Sequence, residues 1–197
     1  MKLIRFFLII VFHTFFSAFY LSAQQFSVGI KLTGLSVHPV GAANASLMKY
    51  KLDNKGVFVF NPGIRLSFEY FFYKDIFSVK IEQGLYADCA NQLAGFTHIG
   101  FRGKIFQIDK HSFNGGMGPT FFFRKNWYKL DGYIEDFDFF KGNPEDNWQW
   151  GFIWYGGEFE YNYKINETTE LSTSIVPCIP PYIPLILSSG LRMIIND

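Results

Sequence analysis

The run most capable of chemistry is His111, Ser112, Phe113, Asn114, Gly115, Gly116, Met117, Gly118, Pro119 and Thr120. A histidine within hydrogen-bond reach of a serine hydroxyl is the base and nucleophile pair of covalent catalysis. Here the two are adjacent, and neighbours on an extended strand point to opposite faces. Without a bulge or a turn that bends it back, His111 does not reach Ser112. The glycines read as space, letting a crowded strand curve beside large inward side chains such as Phe122 and Arg124. Pro119 cannot donate to a strand ladder and implies a bulge. No catalytic residue is assigned.

Two other groups of residues invite a site. His38 and His98 stand apart from any cysteine or carboxylate at a ligand spacing, so neither a metal nor another cofactor is expected. The stretch 125–150 gathers Trp127, Tyr128, Tyr133, Phe137, Phe139, Phe140, Trp148 and Trp150 with Asp131, Glu135, Asp136, Asp138, Glu145 and Asp146. Exposed aromatics mark binding surfaces, which makes Trp127, Tyr128, Tyr133, Phe137, Phe139, Trp148 and Trp150 the candidate contact residues. The competing reading is that the loop folds over a barrel mouth or prolongs two strands. Its carboxylates lack the ordered spacing of a calcium loop. Cys89 and Cys178 fall on the same side of the strand pattern, and a disulfide between them needs the two loops to lean inward until the Cα atoms approach within about 7 Å.

The elements that must position these residues are strands in an exported chain. Lys2 and Arg5 precede an apolar run from Phe6 to Phe12 and on to Leu21, the pattern of a signal peptide, with cleavage expected after Ala23. No cysteine lies there to take a lipid anchor, and residues 24–197 contain no apolar run long enough for a spanning helix. The formal net charge of +1 and the scatter of Lys and Arg disfavour nucleic acid as a partner. The 25 Phe, 11 Tyr and 4 Trp in 197 residues exceed what a soluble domain of this size readily buries.

After Gln24 the chain alternates with period two. Ile64, Leu66, Phe68, Tyr70 and Phe72 take one face while Arg65, Ser67 and Glu69 take the other, with Phe71 the exception. Eight strands are expected, at 26–35, 57–72, 76–88, 97–108, 112–124, 151–163, 168–176 and 185–195. Short turns near Lys74, Asp109 and residues 164–167 alternate with longer loops at 36–56, around Asn91, at 125–150 and at the Pro-rich 177–184. This is the asymmetry of a transmembrane barrel, whose short turns are periplasmic. One face carries nearly all the charge: Lys31, Arg65, Lys80, Arg102, Lys104, Arg124 and Arg192 against Glu69, Glu82, Glu158, Glu160 and Glu170. An eight-stranded lumen is just wide enough for side chains, so the expected interior is an ion-pair plug and not a pore. Ile99, Phe101, Ile105, Phe121, Phe123, Phe159, Leu171, Ile175, Leu187 and Leu191 would face lipid, with Tyr70, Phe72, Tyr161 and Tyr163 near the turns as an interfacial girdle.

On this pattern the chain resembles the small eight-stranded outer-membrane β-barrel proteins of Gram-negative bacteria over all of 24–197. The likeness is of pattern and not of motif. Many such barrels end on an aromatic, whereas this sequence ends Ile194, Ile195, Asn196, Asp197. The resemblance implies an all-β, antiparallel up-and-down transmembrane barrel in contact with membrane lipid, acting as a non-enzymatic surface anchor whose extracellular loops meet a glycan or protein partner. Some relatives of this class are lipid A deacylases that pair a His with a Ser two residues on, which keeps a lipid-modifying enzyme as one alternative. A secreted, lipocalin-like ligand-binding barrel with its apolar face turned inward is the other, because alternation alone does not choose the inside.

Overall fold

A computed structural model describes residues 25–38, 43–135, 139–176 and 185–196. The expected signal peptide, Phe137, Cys178 and the Pro-rich segment lie outside the described residues. Eight antiparallel strands close in sequence order: β1 (Gln25–Val37), β2 (Phe58–Tyr73), β3 (Phe77–Ala87), β4 (Leu93–Ile108), β5 (His111–Lys125), β6 (Trp148–Lys164), β7 (Thr169–Val176) and β8 (Leu185–Asn196). Closure is made by β1 against β8, with Ile30 opposite Leu191 and Val28 opposite Met193. Where all eight strands pair around the ring, which on the β6–β7 side runs from Phe159 to Lys164 of β6, the wall can meet lipid with its backbone groups paired.

Two strands start three or more residues earlier than the alternation suggested, both at the long-loop end. β4 begins at Leu93 because the carboxylate of Asp88 accepts the backbone N–H of Ala90 and Gln92 at 3.0 and 2.7 Å. That turn, with Asn91 at φ 62°, leaves the third-to-fourth connection short. β6 begins at Trp148, since the backbone of Asn126 donates to Asn147 and the pair at Lys141 and Trp150 bonds in both directions. Polar pairing of the loop backbone extends the sheet past the point where apolar alternation fades.

The faces divide by polarity, and the division settles which is inside. Val28, Ile30, Leu32, Ile64, Leu66, Phe68, Ile81, Ile99, Phe101, Ile105, Phe159, Leu171, Leu187 and Leu191 are exposed, while Lys31, Arg65, Glu69, Lys80, Glu82, Arg102, Glu158 and Glu160 are all at most 3% exposed. In water this would be an inverted protein. In a bilayer it follows from transfer energetics, with apolar groups in hydrocarbon and charges paired away from it. The chain is therefore a membrane barrel, and the lipocalin-like alternative, with its apolar lumen, is set aside by this inside-out distribution.

A bulge in the β5–β6 wall explains Pro119. Gly118 pairs with Gly156 and Thr120 with Ile153, so β6 spends one residue more than β5 across the proline. The extra residue turns both Trp154 and Tyr155 outward, 73% and 61% exposed. Gly118 sits where a Cβ would fall within the carbonyl oxygen of Ile99 and 2.7 Å from the Cα of Gly100, so the close approach of β4 and β5 requires a glycine.

Candidate functional site

Within the lumen, five cations and five carboxylates form one continuous network. Glu160 is its hub: it meets Lys31 at 2.5 Å, Lys80 at 2.9 Å, Arg102 at 2.8 Å and Arg192 at 3.5 Å. Glu82 takes Arg65 and, at 2.7 Å, Lys80, while Lys80 also reaches Glu158. Arg102 and Arg192 share Glu69 at 3.0 and 3.4 Å, and Arg192 continues to Glu170 at 3.3 Å. Hydroxyls add further contacts, as with Lys31 on Ser174 at 2.9 Å and Arg65 on Ser188 at 2.6 Å. The charges balance inside a width that side chains fill, which makes this part of the barrel a polar plug.

The two remaining charges of the predicted interior face occupy the mouths. Lys104 pairs with Asp75 in the β2–β3 turn. Arg124 lies at the opposite end, its guanidinium 4.4 Å from the Trp127 ring and 4.0 Å from the Phe140 ring, with Nε on Gln149 at 2.9 Å. Between plug and mouth the lumen turns apolar, where Phe96, Phe122, Val176 and Ile186 cluster and Phe139, Phe140 and Ile153 pack against them. Phe139 also reaches into the space beside Gly151.

Above this apolar layer the described residues of the β1–β2, β3–β4 and β5–β6 connections fold into a cap. Met48, Val59, Cys89, Ala90 and Trp127 form a buried cluster with Leu130 and Tyr133 packed on it. Trp127 Nε1 donates to the Asp88 carboxylate at 2.7 Å. The Asn44 side chain both donates to the Ile134 carbonyl and accepts its N–H, at 2.7 and 2.8 Å, imitating a strand pair between the first and third loops. Tyr50 bonds Asn91 at 2.8 Å and its N–H bonds the Cys89 carbonyl. Burial and the adjacent Asp88 push the Cys89 thiol up to about 12, and burial raises Asp88 itself above the ordinary aspartate range. Burial, aided by Arg124, holds His38 down to about 4.

The candidate contact residues thus divide into two sets. Trp127, Tyr128, Tyr133 and Phe139 belong to the cap or the stopper beneath it, with Trp127 buried and the other three part-buried. Trp148 and Trp150 lie on the outer wall, where Phe121 stacks on Trp150 at 6.4 Å and Phe123 meets Trp148 edge-on at 6.0 Å. The loop composition was visible in the sequence, but this division depends on strand phase, which irregular spacing hides. Asp88, Asn44 and Gln149, which tie the cap together, carried no sequence signal beyond being polar residues near loops.

His111 and Ser112 point to opposite faces. His111 is on the outer wall with Nδ1 2.6 Å from the Tyr161 hydroxyl, whereas Ser112 lines a cavity at the short-turn mouth with Asn114, Glu170 and Arg192. His98 is fully buried against Thr120, with Nδ1 2.7 Å from its hydroxyl. Among the described residues no cluster of His, Cys, Asp or Glu has a metal-binding arrangement.

No protein-family model and no curated protein matches the chain. Among solved structures it is similar to Ail, the attachment invasion locus protein of Yersinia pestis, crystallised with the heparin analogue sucrose octasulfate. That likeness has 13% identity and a TM-score of 0.42 and covers 87% of this chain and 99% of Ail. Neisserial surface protein A is similar at 11% identity and a TM-score of 0.42, over 87% of this chain and 97% of the other.

Proposed function

We propose that the chain is an outer-membrane surface barrel that serves as a rigid, non-enzymatic anchor and presents its extracellular end to a glycan or protein partner. The observation that carries this reading is the combination of a lipid-compatible exterior with an interior closed twice, first by the balanced Glu160 network and then by the Phe139–Phe140 stopper. Among the described residues the lumen is filled by side chains over the height of these two layers, which favours the loops and rim as the surface for interaction. Those loops are pinned to one another at Asn44–Ile134, Asp88–Trp127 and Tyr50–Asn91. A preorganised surface loses less conformational entropy on binding than free loops would.

The lipid-modifying alternative has less support, because the strand phase separates His111 from Ser112 and gives the imidazole to Tyr161. The test is fractionation of the full-length protein with gel mobility before and after boiling, followed by planar-bilayer recording. The expected result is an outer-membrane band that shifts on heating, no steady conductance, and lipid A of unchanged mass in cells carrying either wild type or Ser112→Ala. Recovery in the soluble fraction, a stable open channel, or a lipid A mass change lost with Ser112→Ala would overturn it.

A further inference from the structure

The outer wall of β5 and β6 is taller than the hydrocarbon it crosses. A strand advances about 3.3 Å per residue, and strands of such barrels tilt about 40°, so each residue gains roughly 2.5 Å of height. From Tyr163, beside His111 at the short-turn end, to Trp154 is nine residues of β6. That is about 23 Å, close to the ~25 Å apolar band of outer-membrane barrels, which is bounded by aromatic girdles. Tyr161, Tyr163 and His111 form the lower girdle, while Trp154 and Tyr155, turned outward by the bulge at Pro119, form the upper one.

β6 continues for six residues beyond Trp154 to Trp148, about 15 Å more. Throughout that height the outward residues stay aromatic: Phe152, Trp150 and Trp148 on β6, Phe121 and Phe123 on β5. They are joined into a sheet of rings, with Phe121 on Trp150, Phe123 on Trp148 and Phe152 on Trp154 at centroid separations of 6.4, 6.0 and 4.9 Å. Lys125 closes the top with its ammonium 4.2 Å above the Trp148 ring, and the Lys141 bridge to Trp150 puts a second lysine on the same face. The outward positions of β5 and β6 carry no carboxylate.

We propose that this wall binds the anionic saccharide head group of the glycolipid in the outer leaflet of the same membrane. The wall continues the lipid-facing belt without a break, so its neighbour is the part of the lipid that lies above the acyl chains. Pyranose rings present a face of C–H groups whose partial positive charge suits the negative face of an indole or phenyl ring. The flanking lysines match phosphate or sugar carboxylate. Water alone against this wall would leave several large aromatic surfaces solvated, a state that interfacial rings avoid. The inference rests on the membrane placement proposed above.

The test uses the full barrel, refolded in detergent micelles and checked for its heat-dependent gel shift. Purified lipopolysaccharide, the same lipid stripped of its sugars, and the released oligosaccharide are each titrated against tryptophan fluorescence. The expected result is saturable binding of the intact glycolipid, at least tenfold weaker for the stripped lipid and for free oligosaccharide. The double variant Trp150→Ala, Lys125→Gln should lose at least tenfold, while Phe101→Ala on the central belt stays within about twofold. Equal binding of the stripped lipid, or free oligosaccharide bound as tightly as the glycolipid, overturns the assignment, as does an unaltered double variant or ligand-independent self-association through this wall. A protein that never gives a heat-shifted membrane band would instead defeat the membrane reading. If the double variant does not fold, Trp150→Phe with Lys125→Gln replaces it, with a loss of at least threefold expected; an unchanged affinity for that pair overturns the proposal.

Discussion

Replacing Glu160 by glutamine should unbalance the plug in a way that a second substitution repairs. Oε2 of Glu160 takes Lys31 at 2.5 Å and Lys80 at 2.9 Å, and Oε1 takes Arg102 at 2.8 Å and Arg192 at 3.5 Å. Lys80 keeps Glu82 and Glu158, Arg102 keeps Glu69 and Glu158, and Arg192 keeps Glu69 and Glu170. Among the described residues Lys31 keeps only the Ser174 hydroxyl as a direct contact. Glu160→Gln therefore leaves Lys31 as a buried cation with no carboxylate in contact and the network one positive charge in excess. Breaking a buried pair from one side typically costs about 3–5 kcal/mol. Lys31→Met in the same chain removes the orphan and restores balance with four charges of each sign. The double variant should therefore recover at least about 2 kcal/mol of the loss, a coupling within the range of contacting residues. Urea unfolding in vesicles, followed by the heat-shifted band and by tryptophan emission, measures this. A single variant that loses less than about 1 kcal/mol, or a double variant that loses the sum of the two singles, refutes the view of the lumen as a charge-balanced plug.

Three further outcomes follow from the cap and the walls. His38 has a folded pKa of about 4, below the ordinary 6.5, so the closed cap binds fewer protons than the opened one. Its contribution is present above pH 6.5 and lost as the pH falls towards 4, and amide exchange in residues 43–56 should quicken over that window in wild type but not in His38→Gln. Trp127→Phe removes a hydrogen bond to the buried Asp88 carboxylate, and the cap should lose about 1.5–3 kcal/mol in local exchange protection while the strands keep theirs; equal loss throughout would show that the cap is not a separate unit. Gly118→Ala drives a methyl group into the β4 backbone, so the heat-shifted band should be largely lost, whereas Gly132→Ala, which meets no atom within 4 Å but sits at φ 81°, should cost only about 1 kcal/mol.

Most of the architecture was legible in the sequence because a strand between two unlike media writes its environment in every second residue. Ile64 to Phe72 against Arg65 and Glu69 already contains the wall, and turn residues at Lys74 and Asp109 mark the short connections. The alternation also sorted the charged residues onto one face. It did not say that this face is the inside; closure of eight strands into a narrow ring decided that, because only the lumen lets Glu160 meet cations from β1, β3, β4 and β8 together. Partners more than a hundred residues apart, such as Lys31 and Glu160, leave no local spacing to read.

The candidate site was legible as composition but not as arrangement. The aromatics of 125–150 announced that something there is apolar, yet Trp127 and Phe139 turn into the mouth while Trp148 and Trp150 turn out of it. That difference comes from where the sheet phase stops and the loop begins, which the Asn126–Asn147 and Lys141–Trp150 backbone bonds determine. The bulge opposite Pro119 is a similar case, since the proline predicts an irregularity but not that Trp154 and Tyr155 will share one face. Sequence by itself determined the strands, their order and the segregation of charge, because those follow from short-range sterics and the period of two. Only the tertiary structure decided which face is interior, which aromatics stop the mouth and which line up on the outer wall, because those depend on closure and register.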